Sequence, residues 1–311
     1  MKKLLILLVF SVSALWSQAQ QLEQWTQFYM NEYMINPAVT GADDYYHANA
    51  LYRNQWVGIQ DAPRTYYLSL QGPIVSDVMG LGGAVFSDIV GHTRRPGLQH
   101  SYAYHLKIST EYKLSFSLSA GLFQFAVDGG KLNLQNVGDI ALSNGYMSIW
   151  TPDFGSGVRF AGDNFHVGIY VPQIANMRAQ FFDDFSETDN LLSRHYYLNA
   201  GYMYEIDDDF DIEANLLGRY VTPMDMFELQ VRGIYQEMVW LGASYRTPLI
   251  SDQLPAAVGV MAGYKFKNNL TIGYAYDFDI GDVGVATSGS HEIVLGITFS
   301  RKNDDPVLPP E

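Results

Sequence analysis

Cysteine is absent from the 311 residues, which excludes disulfides, zinc–thiolate sites, iron–sulfur clusters and a cysteine nucleophile. Charge is scarce as well. Charged residues make up 17% of the chain, and 33 acidic against 19 basic residues give a net −14 that a nucleic-acid backbone would repel. No apolar run reaches the roughly 20 residues that a membrane-spanning helix needs. What is plentiful is aromatic and glycine: 22 Tyr, 17 Phe, 5 Trp and 28 Gly. An aromatic share of 14% argues against a disordered chain and points to β structure, with a membrane as its candidate surroundings.

The first residues read as an export signal. Lys2 and Lys3 form a basic start, Leu4 to Trp16 a mostly apolar run, and Ser17-Gln18-Ala19 a small-x-small cleavage pattern. The expected organisation is a signal peptide over 1–19, an N-terminal segment over 20–45, a barrel over 46–300 and a periplasmic tail over 301–311. Loss of Lys2 and Lys3 would take the mature net charge to −16.

Periodicity separates a soluble β-sandwich from a membrane barrel. From Asn269 to Asp279 one parity carries Leu270, Ile272, Tyr274, Tyr276 and Phe278, and the other carries Thr271, Gly273, Ala275 and Asp277. Such period-two alternation marks a strand with one greasy and one polar face. It recurs at Phe210–Leu216, Phe227–Val231, Val239–Tyr245 and Leu114–Ala120. About fourteen such segments can be placed, centred near residues 51, 68, 85, 103, 119, 158, 167, 199, 216, 230, 242, 260, 274 and 294. Tight turns at 109–112, 162–164, 207–209, 235–237 and 267–268 fall on one rim; longer stretches at 128–152, 172–192 and 280–289 fall on the other. Outer-membrane barrels are built this way, with short periplasmic turns and long external loops. The expected fold is all-β, a transmembrane antiparallel barrel of about 14 strands.

The polar parity collects Asp211, Glu213, Arg219, Glu228, Arg232, Arg246, Asp277, Asp279 and Glu292. Charges of both signs facing one lumen either pair with each other or line a solute path, and no one-signed cluster defines ion selectivity. The seven histidines show no HExxH spacing and no Gly-x-Ser-x-Gly elbow is present. His195, near Ser193 and Asn199, has a parity that turns it inward, away from lipid. No catalytic, cofactor or metal site is expected.

Trp25, Phe28, Tyr29 and Tyr33 fall at helical spacing and suit one face of a short helix that ends in the turn-rich Asn36-Pro37 stretch. This N-terminal segment, helical or irregular, is expected at the periplasmic end or in the lumen, where it packs as a partial plug or docks a periplasmic partner.

Gln27-Phe28-Tyr29-Met30-Asn31, Ile35-Asn36-Pro37-Ala38 and Gly41 together resemble the opening signature of the PorP/SprF family. So do Tyr52-Arg53-Asn54-Gln55-Trp56-Val57-Gly58 and Ala62-Pro63-Arg64-Thr65, with Ser69, Gly72 and Pro73 after them. Trp240-Leu241-Gly242-Ala243-Ser244-Tyr245-Arg246, Tyr274-Ala275-Tyr276-Asp277 and Gly289-Ser290-His291-Glu292-Ile293 resemble its late strands. The resemblance runs in order through essentially the whole mature chain. It implies an outer-membrane, non-enzymatic barrel of the type IX secretion system of Bacteroidota. Such barrels support export and surface attachment of adhesins with type B C-terminal domains, often those of gliding motility. Implied partners are such an adhesin, other secretion components (a periplasmic one is a candidate) and outer-membrane lipid. One departure is the tail Arg301 to Glu311 beyond the final aromatic Phe299.

Two contact surfaces are candidates. Arg53 and Trp56, with the 57–64 loop, either grip an exported domain or simply pair with a lumen carboxylate and anchor the rim. Phe181, Phe182 and Phe185, interleaved with Asp183 and Asp184, either hold a partner or fold back on the barrel mouth. A porin-like channel for small solutes is the alternative function.

Overall fold

The computed structural model describes residues 23–131, 145–175, 177, 194–221, 224–249 and 256–300. The barrel strands are β1 (Tyr46–Asn54), β2 (Arg64–Val75), β3 (Met79–Val90), β4 (Thr93–Lys107), β5 (Lys113–Asp128), β6 (Tyr146–Ala161) and β7 (Phe165–Val171). They continue as β8 (Tyr196–Glu205), β9 (Phe210–Val221), β10 (Met224–Tyr235), β11 (Val239–Thr247), β12 (Ala256–Lys265), β13 (Leu270–Ile280) and β14 (Ser290–Phe299). Each predicted strand centre lies within one of them. Every strand pairs antiparallel with its sequence neighbours, and β1 closes the ring against β14 from Tyr46↔Phe299 to Asn54↔His291. Closure leaves no unpaired edge, which a hydrocarbon surrounding requires.

The alternation does the work it promised. Phe278 is 52% exposed on the outer wall, whereas its neighbour Asp277 is 1% exposed in the lumen. Aromatic rings gather at both rims, as a membrane-interface belt demands. Tyr46 stacks on Phe299 at 5.5 Å on the short-turn rim, and Tyr52 meets Tyr66 at 5.0 Å on the long-loop rim. Among the described residues no helix is long and apolar enough to cross a membrane; the strands do so.

The rims are sorted less cleanly than the sequence implies. A brief join, at 91–92, sits on the long-loop rim. The stretch read as a loop over 128–152 is also narrower, because β5 runs to Asp128 and β6 starts at Tyr146. Paired residues such as Asp128↔Tyr146 extend the ladder beyond the rim, since a hairpin continued into water still satisfies its backbone. A short helix α1 (Asp282–Ala286) interrupts the 280–289 loop.

Candidate functional site

The lumen is occupied by the chain's own N-terminal segment. Residues 23–41 enter near the long-loop rim and descend to the short-turn rim, where they join β1. Of the two expected placements, the periplasmic end and the lumen, the segment takes the lumen and runs most of the height of the barrel. The single short helix is not formed. Three separate 3₁₀ turns, Phe28–Met30, Glu32–Met34 and Pro37–Val39, are divided at Asn31, which is not helical, and at Asn36, which is extended. The Asn36 side chain caps the third turn through the Ala38 N–H and donates to the Val158 carbonyl at 3.1 Å. Three of the four aromatics therefore meet different strands of the wall. Trp25 packs edge-on against Tyr67 of β2, Tyr29 accepts a 2.9 Å hydrogen bond from Trp240 Nε1 of β11, and Tyr33 donates to Ser101 of β4. Arg232 lies 4.0 Å from the Tyr29 ring centroid, a cation–π contact.

The upper end is held by charge. Arg53 of β1 bonds Glu292 of the adjacent β14 at 3.1 Å and Asp277 of β13, one strand further, at 2.6 Å. Across the lumen Arg246 bonds Glu228 at 2.8 Å and reaches Asp277 at 3.4 Å, and Arg219 reaches Glu228 at 3.3 Å. Three guanidinium groups thus face three carboxylates. Paired and hydrogen-bonded in this way, buried charges become tolerable. Thr26 sits at the centre. Its hydroxyl accepts from Arg53 and Arg246 at 2.8 and 2.9 Å and donates to Asp277 at 2.7 Å. The Thr26 and Gln27 backbone N–H groups donate to the two Glu292 oxygens at 2.8 and 2.7 Å, while Gln230 donates to the Thr26 carbonyl. Above this clasp Glu23 pairs with Arg95 at 3.7 Å.

The lower end is held by fit. Gly80, Gly82, Gly157 and Gly168 line the wall where the segment presses closest. A Cβ on Gly80 would collide with the Thr40 carbonyl, one on Gly82 would lie 2.6 Å from the Tyr33 ring, and one on Gly168 would collide with the Asn36 amide. The hydrogen bonds here are mostly neutral: His105 Nε2 to the Thr40 carbonyl at 2.8 Å, and the Gly41 N–H to Gln71 at 2.7 Å. Lys113 bonds the Ala42 carbonyl at 2.8 Å and Asp77 at 3.0 Å. Hydrogen bonds from Lys107 and Lys113 hold the Asp77 carboxyl below its ordinary value.

Of the sequence-predicted contact residues, Arg53 is not at a surface. At 1% exposure it is buried in the clasp, because its strand position points it inward opposite Glu292. Trp56 does stand at the long-loop rim, with a left-handed φ of 53°. Its N–H donates to Ser290 and its indole donates to Asp279, both at 3.1 Å. Phe181, Phe182, Phe185, Asp183 and Asp184 lie outside the described residues. His195 is buried and bonds Gln173 at 3.1 Å, and Asn199 accepts from Asn36. The sequence reading missed Thr26, whose only signal is a small polar residue amid an aromatic stripe.

A family model described as type IX secretion system membrane protein PorP/SprF matches residues 17–297. No curated protein matches the sequence. Solved structures similar to this chain include the toluene transporter TodX of P. putida, at TM-score 0.53 and 11% identity over 87% of this chain and 94% of that one. The Ralstonia pickettii toluene transporter TbuX gives 0.52 and 10%, over 86% and 92%. The CymD monoaromatic hydrocarbon channel gives 0.51 and 14%, over 89% and 94%. Likeness at these identities is likeness of fold alone.

Proposed function

The chain belongs to the PorP/SprF family of type IX secretion system membrane proteins, and on that premise we propose that it is a plugged barrel supporting export and surface attachment of adhesins rather than a solute channel. The cargo on this reading is a secreted adhesin bearing a type B C-terminal domain, of the gliding-motility kind. The observation that supports it is the filled lumen: the inward charges bond one another and Thr26, so they do not line an open path. A barrel that blocks its own bore serves better as a scaffold than as a pore. The protein's role is non-enzymatic, its leader is a cleaved signal peptide over 1–19, and Trp25, Phe28, Tyr29 and Tyr33 anchor the plug. Contact with the adhesin falls to the long-loop rim, at Trp56 and at the segment carrying Phe181, Phe182, Asp183, Asp184 and Phe185. Arg53 supports that rim from within.

The test pairs two measurements. In planar bilayers the intact protein should show no steady conductance, and deletion of residues 20–32 should open one. In cells, replacing Phe181, Phe182 and Phe185 with Ser should release adhesin into the medium at unchanged barrel abundance. Steady conductance of the intact protein, with adhesin retained in a strain lacking it, would favour the solute channel instead.

A further inference from the structure

The outer wall of the strands beside the closing seam, β1 to β4, is lined by large apolar residues and by small ones. There a depression of about 960 Å³ opens among Ala48, Ala50, Leu70, Gly83, His100 and Leu295. Strand register explains it. One row of directly paired residues crosses the wall as Ile297, Ala48, Leu70, Gly83, His100 and Ala120. Three of these six are Ala or Gly, so the surface drops where neighbouring rows carry Leu and Tyr.

His100 is the anomaly. It shares the outward parity of Leu98 and Tyr102, each 40% exposed, while Ser101 beside it is buried at 2%. It is the eighth of fifteen residues in β4, between Leu98 and Tyr102 on the lipid face. Its ring leans over Gly83, whose Cβ, if present, would lie 3.3 Å from His100 Nδ1. Among the described residues no hydrogen bond to its side chain is formed within the chain. His291, the other outward histidine of the wall, bonds Tyr274 at 2.7 Å near the long-loop rim. An imidazole left in hydrocarbon without a partner is costly, and acyl chains have nothing to offer it.

We infer that this depression seats a membrane-spanning protein other than a second copy of this chain. The occupant presents large apolar side chains to fill the hollow and one hydrogen-bonding side chain at mid-membrane depth to meet His100. Contacts inside membranes favour this combination: small residues admit close approach, and a polar side chain bonds across. A second copy fits poorly, because a hollow does not fill a hollow. The inference depends on the membrane fold and not on what the lumen or the loops do.

The experiment places a photo-crosslinking amino acid at position 48 or 50 in the depression, and at position 243 on the far wall as a control. Crosslinking is done in the native outer membrane. A discrete protein adduct is expected from the depression only. His100→Leu should lower its yield about five-fold or more, and His100→Gln should restore it. Heat-modifiable gel mobility of the purified His100→Leu barrel should be unchanged or improved, since a polar group leaves the lipid face; a weakened barrel would instead make His100 a structural residue and overturn the inference. Adducts with lipid alone, adducts between two copies of this chain, or a yield indifferent to His100→Leu would each overturn it too.

Discussion

The two ends of the lumen segment are held by different physics. At Thr26 the wall supplies six charged side chains, and the segment is gripped by bonds that converge on one residue. At Thr40 and Gly41 the wall supplies shape and little charge: glycines give way, and neutral donors and acceptors complete the backbone. The clasp depends on partners hundreds of residues apart in sequence, so one lost group leaves several others unpaired in a buried setting. The fitted end spreads its hold over many weak contacts and fails only when something is added to it.

The largest effect should follow Arg53→Met, which leaves three buried carboxylates to two guanidinium groups. It takes from Glu292 its only bonded cation among the described residues and leaves Asp277 the 3.4 Å contact to Arg246. A cost of about 3–5 kcal/mol is expected, read as a lowered midpoint in urea titrations followed by gel mobility. A smaller effect would mean the carboxylates find Arg246 or water instead. Thr26→Val comes next. It keeps the shape but removes the hydroxyl that serves both guanidinium groups, at about 1.5–3 kcal/mol for hydrogen bonds to charged groups. Limited proteolysis should show residues near Thr26 opening first. Gly80→Ala tests the other end. Overpacking against Thr40 should cost about 1–3 kcal/mol, with protease access appearing near Gly41 and the clasp intact. If Gly80→Ala exposes both ends together, the segment is a single cooperative unit and the contrast between them dissolves.

The smallest effect concerns acid. Lys107 and Lys113 depress the folded Asp77 value, so its stabilisation is complete above the ordinary aspartate range and is lost as pH falls through the depressed value. Asp77 is partly solvent-exposed, so the slope of stability against pH should be shallow and should flatten further in high salt. Asp77→Asn should abolish that slope while leaving the Thr26 clasp untouched.

The wall was legible in the sequence because lipid on one side and a polar lumen on the other impose a strict period of two on every strand. Leu270 through Phe278 could be assigned a face from their order alone. Even the charged lumen residues were identifiable, since few other reasons place Arg246 or Glu292 on a polar parity. Their pairing was not. Arg53 and Glu292 are direct cross-strand partners, but only closure of the ring, β1 against β14, makes them so. The lumen segment misled for a related reason. Its helical spacing is real, yet the barrel offers several walls at once, and Asn31 and Asn36 break the run to reach Ser69 and Val158. Those partners have no local trace. For Arg53 the sequence left two readings, a grip on an exported domain or a bond to a lumen carboxylate, and the structure shows the bond.

The descent of the segment from the Thr26 clasp to its junction with β1 gives the molecule a mechanical direction. Tension applied from the short-turn side reaches Gly41 first and unseats the neutral contacts one after another, so that little force is needed at any moment and the clasp is the last to load. Tension applied from the long-loop side meets the clasp at once, where bonds to Arg53, Arg246, Asp277 and Glu292 bear the load together. The same strap is a zipper from one side of the membrane and a bolt from the other.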